Sequence, residues 1–265
     1  MRRLKLGVHL ASLGLPLRRG LAEIERLGVT GVQLDAAGDL APRRLSQTGR
    51  RELLHLLHAH NLQVTALACP LRHGLDAAPG QQARIEYLQA ALSLSYDLGA
   101  RVVTVQAGRV PDDLESPPAR LLTEALLALG HYGDRTGTVL AVETGLETAD
   151  KLRQFLEHFD AGGLGVNFDP ANLLLSGSDP YESARALQGR LTHCQGRDAR
   201  RSSSSRTSQE VPLGSGDIDW LQLLAVLEEV EYGGWLTLRR ETGDNRLADI
   251  AAGIKMLRLV LVGEQ

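Results

Sequence analysis

Short runs of β-branched and apolar residues alternate with longer helical patterns along the whole chain. The runs Leu4–His9, Gly31–Asp35, Gln63–Ala68, Val102–Gln106, Val139–Glu143, Gly165–Phe168, Leu191–Gln195 and Leu236–Arg239 predict strands. Leu17–Leu27, Arg50–His60, Gln81–Leu98, Ala119–Tyr132, Ala149–His158, Tyr181–Leu187, Trp220–Val230 and Leu247–Val262 predict helices. Strand followed by helix, eight times over, predicts an α/β fold: a closed parallel (β/α)8 TIM barrel surrounded by helices. Gly28, Gly99 and Gly233 each follow a helical stretch, where a left-handed residue is needed to end the helix. An open doubly wound sheet is the rival. It needs a glycine-rich phosphate loop after the first strand, which Ser12-Leu13-Gly14-Leu15-Pro16 does not supply.

One segment breaks the alternation. The stretch around 200–210, with Arg200-Arg201-Ser202-Ser203-Ser204-Ser205-Arg206-Thr207-Ser208, has low complexity and no apolar anchor. It follows the seventh strand, so it reads as a mobile, solvated loop over the C-terminal mouth. A lid whose arginines meet an anionic substrate is the functional alternative.

Composition narrows the picture. At 265 residues the chain fits a single barrel domain spanning 1–265, since such barrels take roughly 250 residues. The sequence is 43% hydrophobic but only 4% aromatic, so Leu, Val and Ala must build the core. A net charge of -3 argues against nucleic-acid binding, which calls for a basic face. The two cysteines, Cys69 and Cys194, are too few for a disulfide scaffold or a cysteine zinc site, and suit a reducing cytoplasm. The start of the chain is basic, but Lys5, His9 and Ser12 interrupt the apolar run, which reads as a strand rather than a signal peptide. No run reaches the roughly 18 apolar residues of a membrane span.

In a parallel barrel, alternate strand residues point inward and chemistry gathers at the C-terminal rim. The strand ends are polar at that parity: Gln33 and Asp35, Gln106, Glu143, Asp169 just past Phe168, His193 with Gln195, and Thr237, Arg239 and Glu241. Buried charges are costly unless paired or ligated. Glu143 and Asp169 should therefore face a metal, a cationic side chain or a polar ligand. For Asp169, which precedes Pro170, a helix cap is the alternative role.

Three segments carry a family likeness: Ala141-Val142-Glu143-Thr144-Gly145, Asn167-Phe168-Asp169-Pro170-Ala171-Asn172 and Val211-Pro212-Leu213-Gly214-Ser215-Gly216-Asp217-Ile218-Asp219-Trp220. In these segments the chain resembles the xylose isomerase-like TIM barrels, the sugar phosphate isomerase/epimerase group. The resemblance implies an isomerase or epimerase acting on a sugar- or polyol-like molecule by proton transfer next to a carbonyl. It also implies one divalent metal, Mn or Mg, held by Glu, Asp, His and Glu. Glu143 and Asp169 match the first two ligands. The strand-seven pattern His-x-His-x-Lys-Asp reads His193-Cys194-Gln195-Gly196-Arg197-Asp198, with Gln195 at the ligand histidine. The strand-eight pattern Thr-x-Glu-Arg-Glu reads Thr237-Leu238-Arg239-Arg240-Glu241, with Arg239 at the catalytic glutamate.

Gln is a neutral, weaker donor, and a permanently charged Arg repels a cation. The expectation is a degenerate metal site, with the Arg239 guanidinium in the metal's place and paired with Glu143 and Asp169. The rescue is Glu241 folding back as fourth ligand, which would keep the set Glu143, Asp169, Gln195 and Glu241, with Glu143 and Glu241 catalytic. His9, Asp35, Gln106, Asn172, His193, Arg197 and Arg239 are candidate substrate contacts. A packed core role competes for His9 and His193. His55, His58 and His60 read as surface residues of one helix, Trp220 and Trp235 as packing, and Arg72, His73 and Arg109 as loop residues able to reach the mouth.

Two function classes stay open. One is an enzyme on a sugar-like substrate. The other is a non-catalytic barrel that binds a carbohydrate or a partner protein, in which Arg239 replaces the metal. An abasic-site endonuclease, which shares the barrel class, needs a histidine-rich multi-metal cluster and a basic face that this sequence lacks. A homodimer is compatible with the barrel.

Overall fold

The computed structural model describes residues 4–201 and 209–262. Most of the Ser/Arg-rich segment (202–208) therefore lies outside the described residues. Eight parallel strands close a barrel: β1 (Lys5–His9), β2 (Gly31–Asp35), β3 (Gln63–Ala68), β4 (Val102–Val105), β5 (Val139–Glu143), β6 (Leu164–Phe168), β7 (Leu191–Gly196) and, after a two-stranded excursion, β10 (Trp235–Leu238). Each strand pairs with its sequence neighbour, and β10 closes on β1 with Lys5 opposite Trp235 and Val8 opposite Leu238. The predicted barrel is the observed one.

The outer layer comprises α1 (Leu17–Arg26), α2 (Gln47–Ala59), α3 (Gln81–Asp97), α4 (Pro117–Thr136), α5 (Ala149–Glu157), α6 (Pro170–Ser176), α7 (Pro180–Ala186), α8 (Trp220–Glu229) and α9 (Arg246–Val262). Their Leu, Ile, Val and Ala faces pack on the outward side of the strands, among them Leu21, Ile24, Leu88, Leu92, Leu126, Leu223 and Leu257. Gly28 and Gly99 are left-handed, as expected of helix stops. Gly233 is not: after α8 the left-handed residue is Glu231, with φ 58°. Gly233 is therefore corrected: it does not cap the helix. The short helix α6 escaped the periodicity reading, because its Leu173-Leu174-Leu175 run is continuous and shows no helical alternation.

The excursion consists of β8 (Asp198–Arg200) and β9 (Gln209–Val211), an antiparallel ribbon standing on the mouth. Its anchor is Asp198, which is buried. One carboxylate oxygen accepts the Gly214 and Gly216 N–H groups at 2.9 and 3.1 Å and the Trp220 indole N–H at 3.1 Å. A Cβ on Gly216 would fall 2.0 Å from the other oxygen, so only glycine lets the backbone approach. This explains the Gly-Ser-Gly-Asp-Ile-Asp-Trp run and places Trp220 in packing, as expected. Asp198→Ala is expected to cost about 2–4 kcal/mol, because it strands several buried donors at once. A urea midpoint unchanged from wild type would count against this anchor.

Among the described residues, no helix is long and apolar enough to cross a membrane.

Candidate active site

The polar strand ends meet at the C-terminal mouth. Glu143 closes β5 and is buried. Its Oε1 accepts from Asn172 Nδ2 at 3.0 Å and Gln106 Nε2 at 3.2 Å. Its Oε2 accepts from Asn167 Nδ2 at 3.1 Å and Arg239 Nη1 at 3.4 Å. Burial raises the Glu143 carboxyl above its ordinary range and the nearby Asp169 charge adds to this; Arg239 and Arg197 offset only part of the rise.

Asp169 follows β6 and does two jobs. Its Oδ1 caps α6 by accepting the Asn172 N–H at 2.9 Å, and its Oδ2 accepts from Arg197 Nη1 at 2.7 Å. The Glu-Thr-Gly motif braces it. The Thr144 hydroxyl accepts the Asp169 N–H at 2.9 Å, and Gly145, at φ 114°, leaves room for Asn172, whose Cβ a side chain there would meet at 2.4 Å.

Arg197 is the hub of the charge network. It is 6% exposed and reaches Asp169, Asn172 Oδ1 at 3.1 Å, Glu210 at 3.3 Å and Glu241 at 3.1 Å. Its own burial opposes the charge, but these carboxylates outweigh that and hold it firmly protonated. Arg239 stands beside it, 3.4 Å from Glu143 and 2.5 Å from Glu241.

The sequence expectation for Arg239 is thus corrected. It pairs with Glu143 but has no pair with Asp169, which belongs to Arg197. The direction in which residues past the strand ends lean explains the difference. Residue 239 lies just beyond β10 and leans towards β5, whereas the turn between β7 and β8 carries Arg197 over α6. Glu241 is corrected as well. It does not fold back as a ligand but is clasped by both guanidiniums while 44% exposed.

Beneath these pairs the barrel interior is polar. Asn167 Oδ1 lies 2.8 Å from His193 Nδ1 and 3.4 Å from Gln195 Nε2. Gln195 Nε2 also reaches Gln33 Oε1 at 3.3 Å, and Gln33 Nε2 reaches the Thr104 hydroxyl at 3.0 Å. His193 Nε2 lies 2.9 Å from the Thr237 hydroxyl. A carboxylate only accepts, so Asn167 must donate to Glu143 and turn its oxygen inward. That orientation makes His193 Nδ1 the protonated nitrogen. Burial, then the charges of His9 and Arg239, push this histidine down to about 3, so it stays neutral. His193 is therefore a support for Asn167 rather than an exposed contact.

On the opposite wall His9 Nε2 lies 2.8 Å from Asp35 Oδ1, with Ser12 Oγ 3.4 Å from His9 Nδ1. Burial would raise the Asp35 carboxyl, but the hydrogen bond and charge of His9, with Arg239 beyond, outweigh it and hold it below the usual range. Gln106 and Asn172 join the site through Glu143. Arg72, His73 and Arg109 are exposed on the loops after β3 and β4. His55 and His58 are exposed on α2, and His60, just past it, pairs with Glu25 at 2.6 Å. Trp235 opens β10 at the far end of the barrel, with Lys5 Nζ 5.3 Å from its ring centre.

Glu210 is the residue the sequence reading missed. From β9 it accepts from Arg197, from the N–H groups of Glu241 and Thr242 at 3.1 and 2.9 Å, and pairs with Arg240 at 3.0 Å. It belongs to a three-residue strand beside a low-complexity run, so no period or motif marks it.

The donor set does not fit a divalent metal. Both oxygens of Asp169 are engaged, those of Glu143 face four N–H donors, and two guanidiniums occupy the space between the carboxylates. Among the described residues, no group of three His, Cys, Asp or Glu is arranged to hold a metal ion.

The Xylose isomerase-like TIM barrel family matches residues 21–260. The chain belongs to that family. Among curated relatives, an inosose dehydratase of Clostridium beijerinckii is 22% identical over 198 residues, 63% of this chain and 66% of that protein. The chain thus spans just under two thirds of that relative's length. Among solved structures, a xylose isomerase domain protein from Planctomyces limnophilus superposes with a TM-score of 0.87 at 24% identity, covering 98% of each chain. A xylose isomerase-like TIM barrel protein from Mycobacterium smegmatis, in complex with magnesium, gives 0.78 at 17% identity, covering 98% of this chain and 97% of its own. These likenesses to structures establish the fold.

Proposed function

We propose that this family member is a sugar- or polyol-processing enzyme that abstracts a proton from a carbon next to a carbonyl without a bound metal. The observation that carries the reading is the Glu143–Arg239 pair at the barrel mouth. Glu143, held above its ordinary range by burial, is the base. Arg239 and the N–H groups of Asn172 and Gln106 lie beside it, where they would offset charge growing on an enolate oxygen.

The second carboxylate of the region, Glu241, is tied between two arginines. A single base suits a transfer on a single face: isomerisation between adjacent carbons, with Glu143 returning the proton to the neighbouring carbon, or loss of a neighbouring hydroxyl as water, with Glu143 delivering that proton to the leaving oxygen. Two-base epimerisation lacks its partner. The Clostridium beijerinckii relative is named a dehydratase of inosose, and loss of water from a ketopolyol begins with the same abstraction. The substrate-binding roles of His9, Asp35 and Asn172 belong to this reading.

The test is deuterium incorporation from D2O at the α-carbon of D-fructose, D-xylulose and a keto-inositol, followed by NMR. Wild type is expected to exchange, and Glu143→Gln to lose about 10²–10⁴-fold of the rate. Because the base must be ionised, the rate should fall on acidification, with an acid limb above the ordinary glutamate range of about 4.3. Undiminished exchange in Glu143→Gln would remove Glu143 from the role. A second reading, a non-catalytic carbohydrate-binding barrel, is favoured by the full hydrogen-bond engagement of Glu143; binding without any exchange would select it.

A further inference from the structure

Glu210 reaches the mouth from β9, outside the closed barrel, and its side chain is 5% exposed. Among the described residues, every polar contact of its carboxylate is with a donor. These are Arg197 Nε at 3.3 Å, Arg240 Nη1 at 3.0 Å, the Glu241 N–H at 3.1 Å, and the N–H and hydroxyl of Thr242 at 2.9 and 2.8 Å. A carboxylate so engaged has little left to offer a substrate. What it controls is the guanidinium of Arg197.

Each nitrogen of that guanidinium has its own partners. Nε meets Glu210, Nη2 meets Glu241 Oε2 at 3.1 Å, and Nη1 meets Asp169 Oδ2 at 2.7 Å and Asn172 Oδ1 at 3.1 Å. A planar fork pinned at Nε and Nη2 leaves one direction for Nη1. Arginine only donates, so it must meet the oxygen of Asn172. The Asn172 amide is then left with Nδ2 towards Glu143 Oε1, at 3.0 Å. The run Glu210, Arg197, Asn172, Glu143 therefore has a fixed sense of donors and acceptors, with steps of 3.3, 3.1 and 3.0 Å. Glu210 also holds the backbone at Glu241 and Thr242, just past Arg239, whose Nη1 lies 3.4 Å from Glu143 Oε2.

We propose that Glu210 is a positioning residue for the proton abstraction: by fixing Arg197 it aims the Asn172 N–H at Glu143 and keeps the Arg197 charge in its register. This rests on the enzyme reading above, with Glu143 as base.

The test is Glu210→Gln, which is nearly isosteric but brings an NH2 among donors. With the amide oxygen kept on the Arg240 and Thr242 side, the NH2 faces Arg197 Nε and drives that guanidinium out of register. Glu143 then loses the Asn172 N–H and part of the Arg197 charge, which offsets its rise. In the D2O exchange assay kcat is expected to fall about 10–100-fold with KM little changed. The acid limb should move to higher pH by about 0.5 or more. Loss of a negative charge alone would move it the other way. Glu210→Asp keeps the charge but withdraws it by one carbon, and should shift the limb in the same direction by less. In Glu210→Gln with Arg197→Lys the two effects should not multiply, because lysine has no Nε–H for Glu210 to hold.

A 13C NMR titration of the Glu143 carboxyl needs no turnover and should show the same upward shift. A titration that stays in place or falls in Glu210→Gln, or in Glu210→Asp should the first variant not fold, overturns the positioning, as do effects that multiply in the double variant. No exchange by wild type, together with a shifted carboxyl titration, would overturn the enzyme reading and leave the hold of Glu210 on Glu143 standing.

Discussion

Arg197→Met is expected to lower the unfolding free energy by about 3–5 kcal/mol at pH 7. Methionine keeps much of the side-chain stem, so little packing is lost. What is lost is, among the described residues, the only cation on Asp169, which is 0% exposed and cannot rehydrate in place, and one of the two arginines on Glu210, whose side chain is 5% exposed. An uncompensated buried charge is the costly product, whereas Glu241, 44% exposed, can turn to water and adds little. Adding Asp169→Asn to Arg197→Met should therefore recover part of the loss, since charge and partner leave together.

The pH dependence has a defined sign. Burial would raise the Glu210 carboxyl, but Arg197 and the Thr242 and Glu241 donors outweigh it and hold it below its ordinary range. A depressed acid stabilises the fold above its unfolded value, about 4.3, and the contribution fades as pH falls through the folded value. The gap between wild type and Arg197→Met should thus be widest near neutrality and narrow below about pH 4. Urea unfolding across pH measures this. A gap under about 1 kcal/mol at pH 7 would show that Arg197 does not organise the cup.

The second large effect concerns metal. Adding millimolar MnCl2 to wild type should leave the Tm unchanged, because Arg239 sits where charge would have to accumulate. Arg239→Glu combined with Gln195→His supplies the two ligand types that the family pattern has and this chain lacks. Without metal this variant should be less stable than wild type, since Glu143 gains a like-charged neighbour. With Mn at a hundred times its Kd, binding contributes about 2.7 kcal/mol, which in a chain of this size raises Tm by roughly 5–10 °C. Arg239→Glu alone should respond weakly, because Gln195, a neutral and weaker donor, still stands at the second missing ligand position. A wild-type Tm that climbs with Mn would contradict the account of the arginines.

The barrel was legible because its signal is repeated. Eight short β-branched runs, each followed by a helical period, leave few alternatives, and the strand limits differ from expectation by a residue or so: β4 ends at Val105 rather than Gln106, and β10 spans Trp235–Leu238 rather than Leu236–Arg239. The gathering of Glu143, Asp169, Gln195 and Arg239 followed from strand parity. Which cation meets which carboxylate did not. That depends on the direction in which residues past the strand ends lean, and Arg197, Arg239 and Glu241 all lie past them or at them. Asp169 illustrates the difficulty: the Asp-Pro sequence advertises a cap, and the cap is real, yet the second oxygen is free to accept from Arg197. Glu210 had no signal at all, because pairing across a ribbon of three-residue strands is a tertiary event.

The run of amides below Glu143 has a polarity, and that polarity originates in one charge. Asn167, Asn172 and Gln106 all present nitrogen to Glu143, so an amide placed at 143 would bring its own N–H against a donor. In place of Oε1 it would face both Gln106 and Asn172, and in place of Oε2 both Asn167 and Arg239, so two donors would have to turn or withdraw. If Asn167 reversed, its NH2 would face the protonated Nδ1 of His193 and the NH2 of Gln195, and the imidazole would have to move its proton to the other nitrogen. A change of a single atom at the rim would thus be felt as a tautomer change in the middle of the barrel, which makes the ring resonances of His193 a remote reporter on the state of residue 143.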